Sequence, residues 1–246
     1  MVEQSLLNRL DERIENKSLL DHPYYQAWKT GELTLEDLQI YAAQYYFFEA
    51  NFPRYLSAIH TKCDDRAVRQ NILKNLWDEE YGAENHRQLW LDFSSALGLD
   101  DQAVENSEAL PTTQVLLDTY STITDQASFQ EGLAVMYAYE AQVPKVALEK
   151  TRGLKEFYGI DSDQAVKFFE VHSTMDEDHS DREAHDLGTS TAPDQESGVE
   201  AALQSALDAW WGFLDGVEAI RHSFTTEGTP TAEKGHRPGF NHLKSI

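Results

Sequence analysis

Apolar residues in this chain recur at intervals of three and four along most of its length, and no stretch shows the alternation of a half-buried strand. That period selects helices, which must pack together to bury their apolar faces. Leu6, Leu7, Leu10 and Ile14 predict a first helix over residues 2–17. Pro23 and Gly31 bracket a short second one carrying Tyr24, Tyr25 and Trp28. Thr34 with Asp37 is a capping-box pattern, opening a long aromatic helix that Pro53 kinks or restarts. Val68, Ile72, Leu73, Leu76 and Trp77 share a face, which Leu89, Trp90 and Phe93 extend across Gly82 as a continuous or gently broken helix. Further helices are predicted over 113–124, over 128–150 with a kink at Pro144, from 160 through the acidic stretch 169–186, and over 199–224, with 188–198 a loop. No internal repeat is present. The expected fold is all-α, a single-domain bundle of about seven or eight helices over residues 1–224. A Gly-, Pro- and Thr-rich tail at 225–246 is expected to be flexible and largely disordered.

Composition narrows what such a bundle binds. With 43 acidic and 20 basic residues the formal net charge is −23, which argues against nucleic acid and membrane as partners. The acids are spread through the helices rather than gathered in a tail, as expected in a salt-adapted cytoplasm where counterions screen self-repulsion. The single cysteine, Cys63, permits no intramolecular disulfide and fits a reducing compartment. The amino terminus is amphipathic and charged, and no apolar run reaches membrane length. The expectation is a soluble, cytoplasmic protein for which a homo-oligomer is allowed.

His172, Asp176 and His179 fall at i, i+4 and i+7, so their side chains leave one helical stripe as a candidate metal half-site. Glu79 and His86, seven apart, form a second candidate. On a continuous helix their α-carbons would stand about 10 Å apart along the axis, so they reach one ion only by leaning together. Glu140, in Tyr-Ala-Tyr-Glu-Ala-Gln-Val-Pro, is a carboxylate among apolar and aromatic residues and needs a proton, a partner or a cation. Three histidines and three carboxylates suit iron or manganese, and zinc less selectively. Two ions about 3.5–4 Å apart would suit oxygen chemistry or metal-assisted hydrolysis. Chance competes with this reading, because 43 acids and nine histidines make such spacings common. Asp78, Glu80, Glu84, Glu177, Asp178 and Asp181 read as a solvated face, and His60, His185, His222, His236 and His242 as structural or surface residues.

At these positions the sequence resembles the haem-oxygenase-like dimetal oxidases, and among them the CADD-type p-aminobenzoate synthases. Their signature of Glu-x(6)-His, a lone Glu on the next core helix, and His-x(3)-Asp-x(2)-His is met by Glu79, His86, Glu140, His172, Asp176 and His179. The likeness extends through residues 29–34, 52–60, 139–144 and 149–159, and spans roughly 2–224. It implies two metal ions held by the six residues, di-iron or manganese with iron, with dioxygen as co-substrate and an electron donor. It also implies that p-aminobenzoate, used in folate-type cofactor synthesis, takes its ring from the protein's own tyrosine, matched by Tyr25. Lys150 matches the candidate amino donor, and Tyr41 and Tyr139 match tyrosines assigned to radical relay or positioning. On the residues alone, Tyr25 reads first as a core aromatic and Lys150 as a surface charge.

Other functions stay open on such a bundle. The same metal chemistry could oxidise an external small molecule such as a fatty acid, with Tyr45 to Phe48 lining an acyl pocket. A thiaminase-like role needs a cysteine nucleophile, which Cys63 does not match, and a pyrroloquinoline-quinone synthase-like role has no need of the six ligands. A non-catalytic interaction protein would use the acidic helical surface and bind no metal.

Overall fold

A computed structural model describes residues 5–226. Eleven α-helices and one short 3-10 turn make up the regular structure among the described residues, with no strand. The first is α1 (Leu6–Asn16), capped by Ser5, whose hydroxyl accepts from the Asn8 amide. A 3-10 turn over Leu19–Asp21 leads to α2 (Pro23–Thr30), which starts on Pro23 and ends at Gly31 with φ of 75°, a left-handed conformation suited to glycine. The capping box of Thr34 and Asp37 forms, and α3 (Leu35–Lys62) runs without interruption past Pro53. Proline removes one helical donor, so the Glu49 carbonyl loses its usual partner, but packing on several sides holds the helix together.

The remaining helices are α4 (Arg66–Glu80), α5 (His86–Ala96), α6 (Asp101–Glu105), α7 (Pro111–Gln126), α8 (Phe129–Glu140), α9 (Val143–Phe157), α10 (Asp163–Ser190) and α11 (Glu196–Thr226). This exceeds the expected seven or eight because two predicted helices are divided and a predicted connection forms the five-residue α6. The helix expected across Gly82 breaks, with Gly82 at φ 96° and Asn85 capping α5. The helix expected over 128–150 is divided at Ala141 and Gln142, so Pro144 lies in the first turn of α9, where its missing N–H costs no helical bond. α10 runs on to Ser190, leaving residues 191–195 between it and α11, and α11 reaches Thr226. Residues 2–4 of the predicted first helix and 227–246 of the predicted tail lie outside the described residues.

α3 packs against α4, α5, α7 and α8, while α10 packs against α5, α8 and α9. α11 closes the bundle over α7 and α8. An aromatic core fills the centre: Tyr139 stacks on Trp210 with ring centroids 4.8 Å apart, and Tyr45 lies 4.1 Å from Trp90. Polar ends within this core are paired, as where Trp90 Nε1 donates to the Ala42 carbonyl at 2.8 Å and Tyr120 Oη to that of Val135 at 2.8 Å. No helix among the described residues is long and apolar enough to cross a membrane.

Candidate metal centre

The break between α4 and α5 brings together two residues that a straight helix would hold apart. Glu79 sits in the last turn of α4 and His86 is the first residue of α5, so they do not share a stripe. Instead the chain folds back, and Glu79 Oε2 lies 2.7 Å from His86 Nδ1, without the alignment of a hydrogen bond. Burial disfavours the His86 cation, but the carboxylates of Glu79, Glu49 and Asp78 outweigh it and raise its pKa to about 9 in the metal-free chain.

α10 presents His172, Asp176 and His179 inward from one stripe, and α8 ends on Glu140 beside them. All six of these side chains are buried. His172 Nδ1 lies 2.7 Å from the Phe168 carbonyl, which fixes its protonated nitrogen and leaves Nε2 as the free donor. His179 Nε2 faces Asp78 at 3.2 Å, leaving Nδ1 buried with no hydrogen-bond partner and 3.8 Å from Asp176 Oδ1. Asp78 was read from sequence as solvated; its carboxylate instead orients an imidazole. Asn75 donates to Glu140 Oε1 at 2.9 Å, while Oε2 has no hydrogen-bond partner. Burial is the largest cause of the raised Glu140 pKa, about 7, and it also pushes Asp176 well above the usual carboxylate range.

Two groups of donor atoms close enough to hold an ion emerge among the described residues. Glu49, Glu79, His86 and His172 form one, and Glu79, Glu140 and His179 the other, each with all its atoms within 4.8 Å of one another. Asp176 lines the same cavity as Glu49, Glu79, Glu140 and His172. Buried nitrogens and oxygens lacking hydrogen-bond partners, in a mixed imidazole and carboxylate set, fit a pair of oxygen-loving transition-metal ions. Sequence reading missed two buried carboxylates here, Glu49 and Glu183. Glu183 follows His179 by one turn, and neither of its oxygens has a hydrogen-bond partner. Glu49 was legible by the same signal as Glu140, a lone Glu in an aromatic stretch.

Beside these donors lies a second set of residues. Tyr25 Oη and Tyr41 Oη are 2.8 Å apart, and Lys150 Nζ donates to Tyr41 Oη at 2.6 Å. Lys150 is therefore no surface charge: its Nζ lies 4.8 Å from the Tyr25 ring centroid, and burial holds its pKa well below the ordinary lysine value. Burial likewise raises Tyr25, Tyr41 and Tyr139, keeping all three as neutral phenols. Tyr139 and His172 line the cavity containing Tyr25 and Lys150 and also the cavity containing the carboxylates, so the two sets are contiguous. Tyr139 Oη is hydrogen-bonded to Tyr45 Oη. Tyr45 and Phe48 pack among core aromatics.

A family model described as "Iron-containing redox enzyme" matches residues 39–211. A protein from Nitrosomonas europaea named 4-aminobenzoate synthase is 40% identical over 227 residues, covering 88% of this chain and 92% of its own. One of the same name from Chlamydia pneumoniae is 39% identical, with 85% of this chain and 93% of the relative covered. Among solved structures, a haem-oxygenase-like domain from Shewanella denitrificans superposes with a TM-score of 0.78 at 18% identity, over 93% of this chain and 98% of that one. The fold is thus haem-oxygenase-like and the protein an oxidoreductase: the chain belongs to the family of iron-containing redox enzymes, alongside the 4-aminobenzoate synthases.

Proposed function

We propose that this protein makes p-aminobenzoate in an oxygen-dependent reaction at a two-metal centre, with Tyr25 as the source of the ring and Lys150 as the amino donor. The carrying observation is the placement of a buried lysine amine 4.8 Å from the Tyr25 ring and hydrogen-bonded to the tyrosine that Tyr25 itself contacts. Glu79, His86, Glu140, His172, Asp176 and His179 would hold the ions, iron alone or manganese with iron. When bound, the pair supplies dioxygen activation and oxidising equivalents drawn from dioxygen and an external electron donor.

The chain's own groups prepare the two reactants. A neutral Lys150 keeps the nitrogen lone pair that a protonated amine lacks. Tyr25 is a neutral phenol, so oxidising it requires moving a proton, and Tyr41 Oη at 2.8 Å is placed to relay it, taking the Tyr25 proton as its own hydroxyl proton passes to the Lys150 amine 2.6 Å away. Tyr139, lining both cavities, occupies the position for a relay between metals and Tyr25. In p-aminobenzoate the nitrogen lies para to the carboxyl carbon, as the Tyr25 hydroxyl lies para to Cβ. The amine nitrogen therefore replaces the phenolic oxygen, which leaves as water, and release of the product also requires cleavage of Lys150 Cε–Nζ and of Tyr25 Cα–Cβ with oxidation of Cβ to the carboxyl, the oxidising equivalents coming from dioxygen. Close packing of Val143, Val146, Phe168 and Phe169 around this cavity excludes water from the exchange.

The relatives' name supports the product, and the Tyr25–Lys150 arrangement supports the internal source. The test is aerobic reaction of reduced, metal-loaded protein carrying ring-labelled tyrosine. Labelled p-aminobenzoate and a matching loss of mass at Tyr25 are expected. An unchanged yield from Tyr25→Phe would reject the internal source in favour of an external substrate.

A further inference from the structure

The donor set described so far leaves two buried carboxylates, Glu49 and Glu183, without a role. Glu49 on α3 is 3% exposed, and its Oε1 has no hydrogen-bond partner among the described residues. It shares a donor group with Glu79, His86 and His172, all within 4.8 Å of one another, whereas Glu183 belongs to neither group. Building on the two-metal reading, we propose that Glu49 is a seventh metal ligand, completing the site next to the tyrosine and lysine cavity.

Three observations carry this. Geometry divides the donors into one group of Glu49, His86 and His172 and another of Glu140 and His179, with Glu79 common to both and Asp176 lining the same cavity but belonging to neither. With Asp176 outside this close group, removing Glu49 would leave it two neutral imidazoles and a shared carboxylate, a sparse set for a hard divalent ion. Charge gives the second argument. Glu79, Glu140 and Asp176 leave two divalent ions one positive charge in excess, and Glu49 removes that excess in a buried site where net charge is costly.

The third is local sequence. Glu49 opens Glu-Ala-Asn-Phe-Pro and Glu140 opens Glu-Ala-Gln-Val-Pro, so each carboxylate is followed by alanine, a side-chain amide, an apolar residue and proline. Pro53 removes the amide that would bond the Glu49 carbonyl within α3, whereas Glu140 ends α8 and Pro144 begins α9, so in both stretches the glutamate carbonyl lacks a helical amide from i+4. Each glutamate lies among buried aromatics, Glu49 after Phe48 and Glu140 after Tyr139. The two stretches supply one carboxylate to each of the two sites.

Anaerobic Mn(II) loading tests this without turnover. Wild-type protein is expected to bind two Mn(II) per chain and give the paramagnetic resonance spectrum of a coupled pair. Glu49→Gln, nearly isosteric, should bind one ion at least tenfold more tightly than the second and show an isolated Mn(II) spectrum. Its metal-free form should melt no lower than wild type, because an unneutralised buried carboxylate has been removed. Glu49→Asp, which retains the charge, should bind two ions with intermediate affinity, and serves if the Gln variant does not fold. Two tightly bound, coupled ions in Glu49→Gln, or in its absence wild-type affinities in Glu49→Asp, would overturn the assignment. A wild-type chain that binds no Mn(II) or Fe(II) would instead reject the two-metal reading.

Discussion

Lys150 Nζ donates to Tyr41 Oη at 2.6 Å, the same oxygen that lies 2.8 Å from Tyr25 Oη, so one phenol connects the buried amine to the buried ring. Replacing the lysine separates its roles. Lys150→Met should abolish p-aminobenzoate formation while leaving metal content at the wild-type value. Lys150→Arg should fail as well and melt at lower temperature, because guanidinium keeps its charge where burial favours a neutral group. Product assay, elemental analysis and calorimetry on the same preparations check this.

Tyr25→Phe removes one hydroxyl and should cost about 1 kcal/mol or less in stability, read by urea denaturation. Tyr41→Phe should retain the ring source but slow product formation, since it deletes the hydroxyl that relays a proton between Tyr25 and Lys150. Single-turnover kinetics with metal content held equal separate the two.

Asp78 lies 3.2 Å from His179 Nε2, and His179 shares a donor group with Glu79 and Glu140. Asp78→Asn should weaken metal binding by roughly 10- to 100-fold, as loss of a carboxylate partner does at other histidine ligands. Competition titration with a metal chelator measures the loss, and an unchanged affinity would remove Asp78 from the site.

Metal and pH should act in opposite directions on the empty and loaded chain. Without metal, Glu49 near 8, Glu140 near 7 and His86 near 9 all bind protons more strongly than in the unfolded chain, as do Asp176 and Glu183. Such groups contribute stability at low pH that is lost as pH rises through their folded values; His172 and Lys150, both held by burial below their ordinary values, oppose them, His172 toward pH 7 and Lys150 above it. The metal-free protein should therefore melt at a lower temperature at pH 8.5 than at pH 6. Metal binding expels those protons, so affinity and the thermal shift on loading should both increase over the same interval.

Gly153 on α9 has no room for a side chain: an added Cβ would lie 2.7 Å from Trp28 Cδ1 and 3.1 Å from the Trp28 carbonyl. That contact seats α2, and with it Tyr25, against α9, where Trp28 Nε1 also donates to the Lys150 carbonyl at 3.2 Å. Gly153→Ala should destabilise the protein by about 1–3 kcal/mol through overpacking, measured by denaturant titration.

Much of this architecture is determined locally. The apolar spacing of α1, α4 and α10, the capping box of α3 and the Pro23–Gly31 bracket of α2 act within a few residues, so the chain declares its helices in one dimension. The stripe of His172, Asp176 and His179 is legible for the same reason, since helix geometry alone puts the three side chains on one face. Tertiary packing decided the rest. The turn at Gly82 brings Glu79 to His86, α3 carries Glu49 to the same place, and α9 buries Lys150 against Tyr41. Lys150 looks like any lysine among charged neighbours, and Asp78 like any acid on an acidic helix, until other helices remove them from water. Helical periodicity is a property of neighbours in sequence, whereas burial and the approach of two groups depend on segments more than a hundred residues apart, 109 for Lys150 and Tyr41, and only packing sets those distances.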